Sequence, residues 1–203
     1  LILSEAVINW YEKNYRKLPW RPNLGENANL YFVLVSEFML QQTVVKTVIP
    51  YFKKFILKYE NIFVLANADL NDVLSEWSGL GYYRRAKNLH NTCKIICEKY
   101  NGVVPKSFEI LLSLPGVGEY TASAILSIGY NSPSNVVDGN IERIFSRLNK
   151  ISTPVQKAKQ KIRLITSKHI PKSKNSYYVQ GLMDIGATIC KPKVSLCSKC
   201  PKI

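Results

Sequence analysis

The stretch that most constrains this chain is residues 111–147, which holds LLSLPGVGEYTASAIL and, shortly after, NVVDGNIERIFSRL. Pro115-Gly116-Val117-Gly118 must break a helix and turn tightly, because two glycines allow positive φ and leave the backbone N–H groups bare. A new helix is predicted over 121–128, and amides gathered at a helix N-terminus form an anion site. The second string sets a lone carboxylate, Asp138, just ahead of a helix whose apolar face is Ile141, Ile144, Phe145 and Leu148. Each feature has an ordinary reading: a glycine turn between helices, and an N-cap contributing about 1 kcal/mol. A backbone phosphate grip beside an isolated acid points instead to chemistry on a nucleic acid.

Charge supports that direction. The 203 residues carry 28 Lys+Arg against 14 Asp+Glu, a formal net charge of +14. Such a balance implies a polyanionic partner, nucleic acid or an acidic membrane surface. No basic amphipathic helix with a wholly apolar opposite face stands out, and the longest apolar run, residues 30–35, is far too short to cross a bilayer. Nucleic acid is therefore the expected partner, with no membrane. A hydrophobic content of 46% excludes a disordered chain. The N-terminus lacks the order of a signal peptide, its basic residues following its apolar ones, and lacks an initiator Met, so the start reads as trimmed. The five cysteines, an odd count, argue for a reducing, cytoplasmic compartment over a disulfide framework.

Hydrophobic periodicity predicts helices throughout, with no sustained alternating segment, repeat or low-complexity tract; the expected class is all-α. A first helix over 3–15 carries Ala6, Trp10 and the Lys13 stem along one side. Two prolines then force the extended link Leu18-Pro19-Trp20-Arg21-Pro22, where adjacent Trp and Arg either pack a loop or meet a base. The helix over 30–42 is nearly all apolar yet contains Glu37. A half-buried carboxyl has a raised pKa and suits a general acid; a surface glutamate is the plainer reading. Further helices are expected over 43–59, bent at Pro50 with Val44, Val48, Tyr51/Phe52 and Phe55 at helical spacing, and over 70–77. The helix over 82–100 presents Ala86, Leu89, Cys93, Ile96/Cys97 and Tyr100, which makes Cys93 and Cys97 core residues. Tyr82-Tyr83-Arg84-Arg85, following Gly79-Leu80-Gly81, could offer an aromatic wedge or simply pack. The last helices are expected over 155–168, with Ala158, Ile162 and Ile165 inward, and over 176–189, with Tyr178, Leu182, Ile185 and Ile189 inward. Cys190, Cys197 and Cys200 then follow at C-x6-C-x2-C, a metal-site spacing.

The whole string LPGVGEYTA…VVDGN resembles the helix-hairpin-helix DNA glycosylases. Within them, SEFMLQQT, WSGLGYYRRAKNL and VVDGN resemble the adenine DNA glycosylase branch, the MutY family, over essentially the whole chain. The resemblance implies two helical lobes, 22–130 with the hairpin, and 1–21 plus 131–203 with an iron–sulfur loop. It implies a cleft that brings Glu37 and Asp138 to opposite sides of one flipped nucleotide, with Asn140 orienting the site. Trp20, Arg21, Leu40 and Asp184 fall where the family lines its adenine pocket. Gln42 and Tyr82 would enter the duplex, and the amides of Gly116 and Gly118 would hold a phosphate.

In the related endonuclease III-like enzymes a lysine attacks C1′ and then cleaves the strand; here Tyr120 stands at that position, and a phenol cannot form the imine. The expected enzyme is a monofunctional monomer that removes adenine mispaired with 8-oxoguanine or guanine, at the bacterial nucleoid, leaving an abasic site. An endonuclease III-like glycosylase-lyase and a non-catalytic DNA-binding module are the alternatives. In the family the cysteine pattern continues x5-C and holds a [4Fe-4S] cluster, but the fourth cysteine does not occur before Ile203. The expectations are therefore no cluster or a labile one in this chain, with zinc on three thiolates as the main alternative and a disulfide as a lesser one.

Overall fold

The computed structural model describes residues 2–201. Among them the secondary structure is eleven α-helices, one π turn and one 3-10 turn, with a lone β-bridge between Cys190 and Ser195. No helix among the described residues is long and apolar enough to cross a membrane. The chain divides into two compact units, Lys17–Ile125 and Leu1–Arg16 with Leu126–Ile203.

In the unit Lys17–Ile125 the helices are α2 (Leu30–Leu40), α3 (Val45–Lys58), α4 (Ile62–Asn67), α5 (Leu70–Glu76), α6 (Arg84–Tyr100), α7 (Phe108–Ser113) and α8 (Glu119–Ala124). Four of them start where the sequence offers a cap. Asn29 Oδ1 accepts the amides of Tyr31 and Phe32, Asn61 those of Phe63 and Val64, Asp69 that of Asn71, and Ser107 Oγ that of Ile110. Helix α2 packs against α3, α6 and α8, so eight of its 11 residues are buried. That is the physical reason for its lack of a polar face. Phe52, Phe55 and Trp77 fill the space beside it, with Trp20 and Trp77 meeting Phe52 and Phe55 edge-on. Helix α6 lays Ala86, Leu89, Cys93 and Ile96 on this core. Burial pushes the Cys93 thiol well above its ordinary range, as expected of a core cysteine.

The other unit contains α1 (Leu3–Asn14), α9 (Gly139–Leu148), α10 (Val155–Ser167) and α11 (Asn175–Thr188). Its centre is α11, which packs on α1 and α9 and buries nine of its 14 residues, Tyr178, Leu182 and Ile185 among them. Gly181 admits α1 closely: a Cβ there would lie 2.8 Å from Val7 Cγ1.

Several local expectations needed correction. The buried face of α1 is Ser4, Val7, Ile8 and Tyr11, not the side carrying Ala6 and Trp10, because α11 packs on Val7 and Tyr11, which Gly181 and Tyr177 meet. Val44 precedes α3 and is 69% exposed, while Leu148 and Ile165 stay partly open and Thr166 takes the inner position of α10. Helix α4, with six residues, is too short to show a period in the sequence. Beyond Ala124 the helix continues as the π turn Ile125–Gly129, in which extra backbone is absorbed within one turn.

Candidate active site and nucleic-acid interface

The hairpin comprises α7, the turn 114–118 and α8. Gly116 has φ +76, a left-handed conformation that disfavours any side chain. A Cβ at Gly116 would also meet Asn88 Nδ2 at 2.6 Å. Gly118 is the N-cap of α8 and brings no side chain to cap it. Gly116 and Gly118 are both exposed, so the amide-rich end of α8 opens to solvent as a phosphate site requires. The turn is held from behind: Thr92 Oγ1 donates to Pro115 O at 2.9 Å, and Gln41 Nε2 donates to Gly116 O at 3.2 Å.

In the same unit, Glu37 is 5% exposed within α2, a helix with no other charged residue. The surface-glutamate reading is thereby excluded. Leu40 ends α2 half-buried, as is Arg21, whereas Trp20 is buried against Phe52 at 5.3 Å between ring centroids. Gln42 and Tyr82 are both exposed, Tyr82 by 60%. Each carries a positive φ, 58 for Gln42 and 52 for Tyr82. Non-glycine residues held there cost on the order of 1–3 kcal/mol and cluster at functional sites. Tyr120, in the first turn of α8, is half-buried.

In the other unit Asp138 is the N-cap of α9, its Oδ1 accepting the Ile141 amide at 2.7 Å. The capping reading is thus true. Its second oxygen has a different duty, accepting Asn140 Nδ2 at 3.0 Å. Asn140 Oδ1 in turn accepts Arg143 Nη2 at 2.8 Å. Arg143 also donates to Gly186 O and Cys190 O, both at 2.8 Å, so α9, α11 and the start of the cysteine loop share one cation. Asp184 is buried on α11, where Arg16 reaches it through Nε at 2.7 Å and its backbone amide at 3.0 Å.

Cys190, Cys197 and Cys200 all line one cavity of about 370 Å³, together with Arg147 and Ile189. Arg147 shapes the loop, donating to Cys190 Sγ at 3.3 Å, Lys191 O at 2.8 Å, Pro192 O at 2.9 Å and Ser195 Oγ at 2.6 Å. Burial, then its neighbours Cys190 and Cys197, push the Cys200 thiol up. In residue type these three thiols suit a thiolate-bound centre. Among the described residues, however, no group of three His, Cys, Asp or Glu side chains stands in metal-holding arrangement, and all five cysteines are free thiols.

Sequence reasoning missed Asn88, Thr92, Arg143 and Arg147, which hold these features in place, and read Gln41 and Arg85 only as parts of stretches facing a groove or forming a wedge. In the sequence they look like ordinary polar helix positions. The only available signal was their spacing, 85-88-92 and 143-147, which places each set on one helix face.

Comparison with known proteins gives a consistent picture. The family model for the HhH-GPD superfamily base excision DNA repair protein matches residues 35–172. The chain is 48% identical to the adenine DNA glycosylase of Buchnera aphidicola subsp. Acyrthosiphon pisum, covering 97% of this chain and 57% of that one. It is 37% identical to the adenine DNA glycosylase of Homo sapiens, covering 97% of this chain and 37% of that one. The chain thus spans a little over half the length of the Buchnera relative. Among solved structures it is similar in fold to a thermostable thymine-DNA glycosylase, with TM-score 0.84, 24% identity and coverage of 97% and 90%. It is also similar to endonuclease III trapped as a covalent intermediate with DNA, with TM-score 0.78, 24% identity and coverage of 98% and 89%.

Proposed function

The chain belongs to the HhH-GPD superfamily of base excision DNA repair proteins, and from that premise we propose that it removes adenine mispaired with 8-oxoguanine or guanine from duplex DNA. The reaction is hydrolysis of the glycosidic bond. Adenine leaves as the free base, and an abasic site remains in an unbroken strand. The observation that most supports this reading is the buried Glu37 in the otherwise uncharged α2.

Adenine is a poor leaving group until a ring nitrogen is protonated. Glu37 supplies that proton as the bond from C1′ to the base breaks. General acid catalysis contributes about 10²–10⁴-fold, while enzymes commonly exceed ~10⁶-fold. The developing positive charge on the sugar must therefore be stabilised too. Asp138 does this as a carboxylate near C1′, with Asn140 fixing its second oxygen. Water then adds to C1′ and its proton passes to the Glu37 carboxylate, restoring the acid. Tyr120 stands where a lyase would need an amine, and a phenol forms no imine.

Before chemistry, the adenine must leave the stack at a cost of a few kcal/mol. The Gly116 and Gly118 amides grip a phosphate while Gln42 and Tyr82 enter the duplex. Trp20, Arg21, Leu40 and Asp184 serve recognition of the extruded base. Cys190, Cys197 and Cys200 would supply three of the four thiolates that an iron–sulfur cluster normally takes, and a bound cluster, labile on three protein ligands, would steady a loop carrying Lys191, Lys193 and Lys199. The protein works as a monomer at the nucleoid.

The test is incubation with duplexes containing A:8-oxoguanine, A:G or thymine glycol, with and without hot alkali. Breaks confined to the adenine strand and appearing only after alkali are expected. Nicking without alkali, or activity on thymine glycol alone, would instead assign an endonuclease III-like activity. Binding without base release in any duplex would assign a DNA-binding module.

A further inference from the structure

We propose that Arg85 is a positioning residue for base extrusion, clasping the end of α2 to the turn ahead of α6 and so fixing Gln42 and Tyr82. The inference rests on the duplex-entering role proposed above for those two residues.

Arg85 is the second residue of α6, where a basic side chain would ordinarily point to solvent, yet it is 6% exposed. Its Nη1 donates to Phe38 O at 3.3 Å, to Met39 O at 2.6 Å, and to Gln41 O. Its Nη2 donates to Leu80 O at 3.3 Å and to Gly81 O at 2.9 Å. The first three carbonyls belong to the C-terminal end of α2, where helical amides no longer satisfy them and the dipole is negative. The other two immediately precede Tyr82. The guanidinium carbon also lies 5.3 Å from the centre of the Tyr82 ring and 5.6 Å from that of Trp77.

One side chain therefore holds the carbonyl just before Gln42, the carbonyl just before Tyr82, and the Tyr82 ring. Both entering residues have left-handed backbones, which need such over-determination to persist. The planar fork is what allows it: Nη1 serves one segment and Nη2 the other. A lysine ammonium is a point donor and cannot span both.

The same face of α6 continues to the hairpin. Asn88 fills the space over Gly116, and Thr92 holds Pro115 O. Residues 85, 88 and 92 thus set the entering pair and the phosphate grip at one fixed spacing along a single helix. This arrangement suits a task in which one contact pushes the duplex while the other anchors it.

The test uses the full-length protein and Arg85→Lys, with 2-aminopurine beside the target adenine reporting unstacking by its fluorescence. On a paired A:8-oxoguanine duplex, the opening equilibrium and the single-turnover rate should each fall about tenfold, the scale of losing hydrogen bonds from a charged donor. With the adenine opposite an abasic site, where less stacking must be broken, excision should stay within about twofold. In a Tyr82→Ala, Gln42→Ala background, Arg85→Lys should cost nothing further on the paired duplex. Equal losses on both substrates, or additive losses in that background, would overturn the clasp and leave Arg85 a general fold residue. If Arg85→Lys does not fold, Gly81→Ala applies the same test. That glycine has φ +76 and open space at its Cβ position, so the substitution strains the turn and nothing else; a paired-duplex-selective loss supports the clasp and an unselective one overturns it. Wild-type protein that neither unstacks nor excises adenine would refute the proposed function itself, an outcome separate from any behaviour of the variants.

Discussion

At the scale of single residues, the two carboxylates differ in how their replacement should behave. Glu37→Gln keeps the shape of α2 and removes only the acid, so base release should be lost while mispair binding and melting temperature persist. Near-normal single-turnover excision would remove Glu37 from the mechanism. Asp138→Asn is more complex. One amide oxygen can still cap Ile141, but the new NH₂ would then face the Asn140 Nδ2 donor across the present 3.0 Å contact. We expect loss of excision together with a stability loss of about 1 kcal/mol, separated by comparing thermal melts with single-turnover rates. His90 gives a pH signature. Burial holds its imidazole below the ordinary 6.5, with Nε2 donating to Ala68 O at 3.0 Å. The unfolded chain therefore takes up a proton first, and stability must fall as pH drops from the ordinary value toward the depressed one. His90→Gln should melt with a shallower pH dependence than wild type between pH 7 and 5; identical slopes would refute the assignment.

At the scale of elements, close approach of helices carries the site. Gly186 on α11 faces Asn140, and a Cβ at Gly186 would lie 2.6 Å from Asn140 Cβ. Gly186→Ala should displace the residue that orients Asp138. Excision should fall by about tenfold or more at nearly unchanged DNA affinity, since 1.4 kcal/mol of misplacement suffices. A wild-type rate in this variant would show that Asn140 does not govern the step. Gly116→Ala combines a left-handed backbone with the Asn88 contact, and its expected loss is in binding to any duplex, matched or mismatched. Gel-shift titration on both duplexes checks this.

At the scale of the whole molecule, the governing quantity is the net charge of +14. Each phosphate neutralised contributes about −0.9 to the slope of log K against log[salt]. Affinity for undamaged duplex should therefore fall steeply between low and physiological salt. Fluorescence anisotropy across a salt series measures the slope, and a flat response would refute a backbone grip.

The all-α class, most helix positions, the hairpin turn and the isolation of Glu37 in an apolar helix were legible in the sequence, because local spacing and turn chemistry report them directly. Resemblance added the roles of Asp138 and its neighbours. Other features were not legible, because no periodicity encodes which distant carbonyl a cation will meet. Arg85 reads as one more basic residue until α2 and the 79–82 turn are both beside it. Arg143 and Arg147 gain meaning only when Gly186 lets α11 approach α9 and the cysteine loop folds back on them. The sequence by itself determined the helices, the turn and the chemical groups, since these depend on residues a few positions apart. Only the tertiary structure decided which cations organise them, since that depends on hydrogen bonds spanning 40 or more residues.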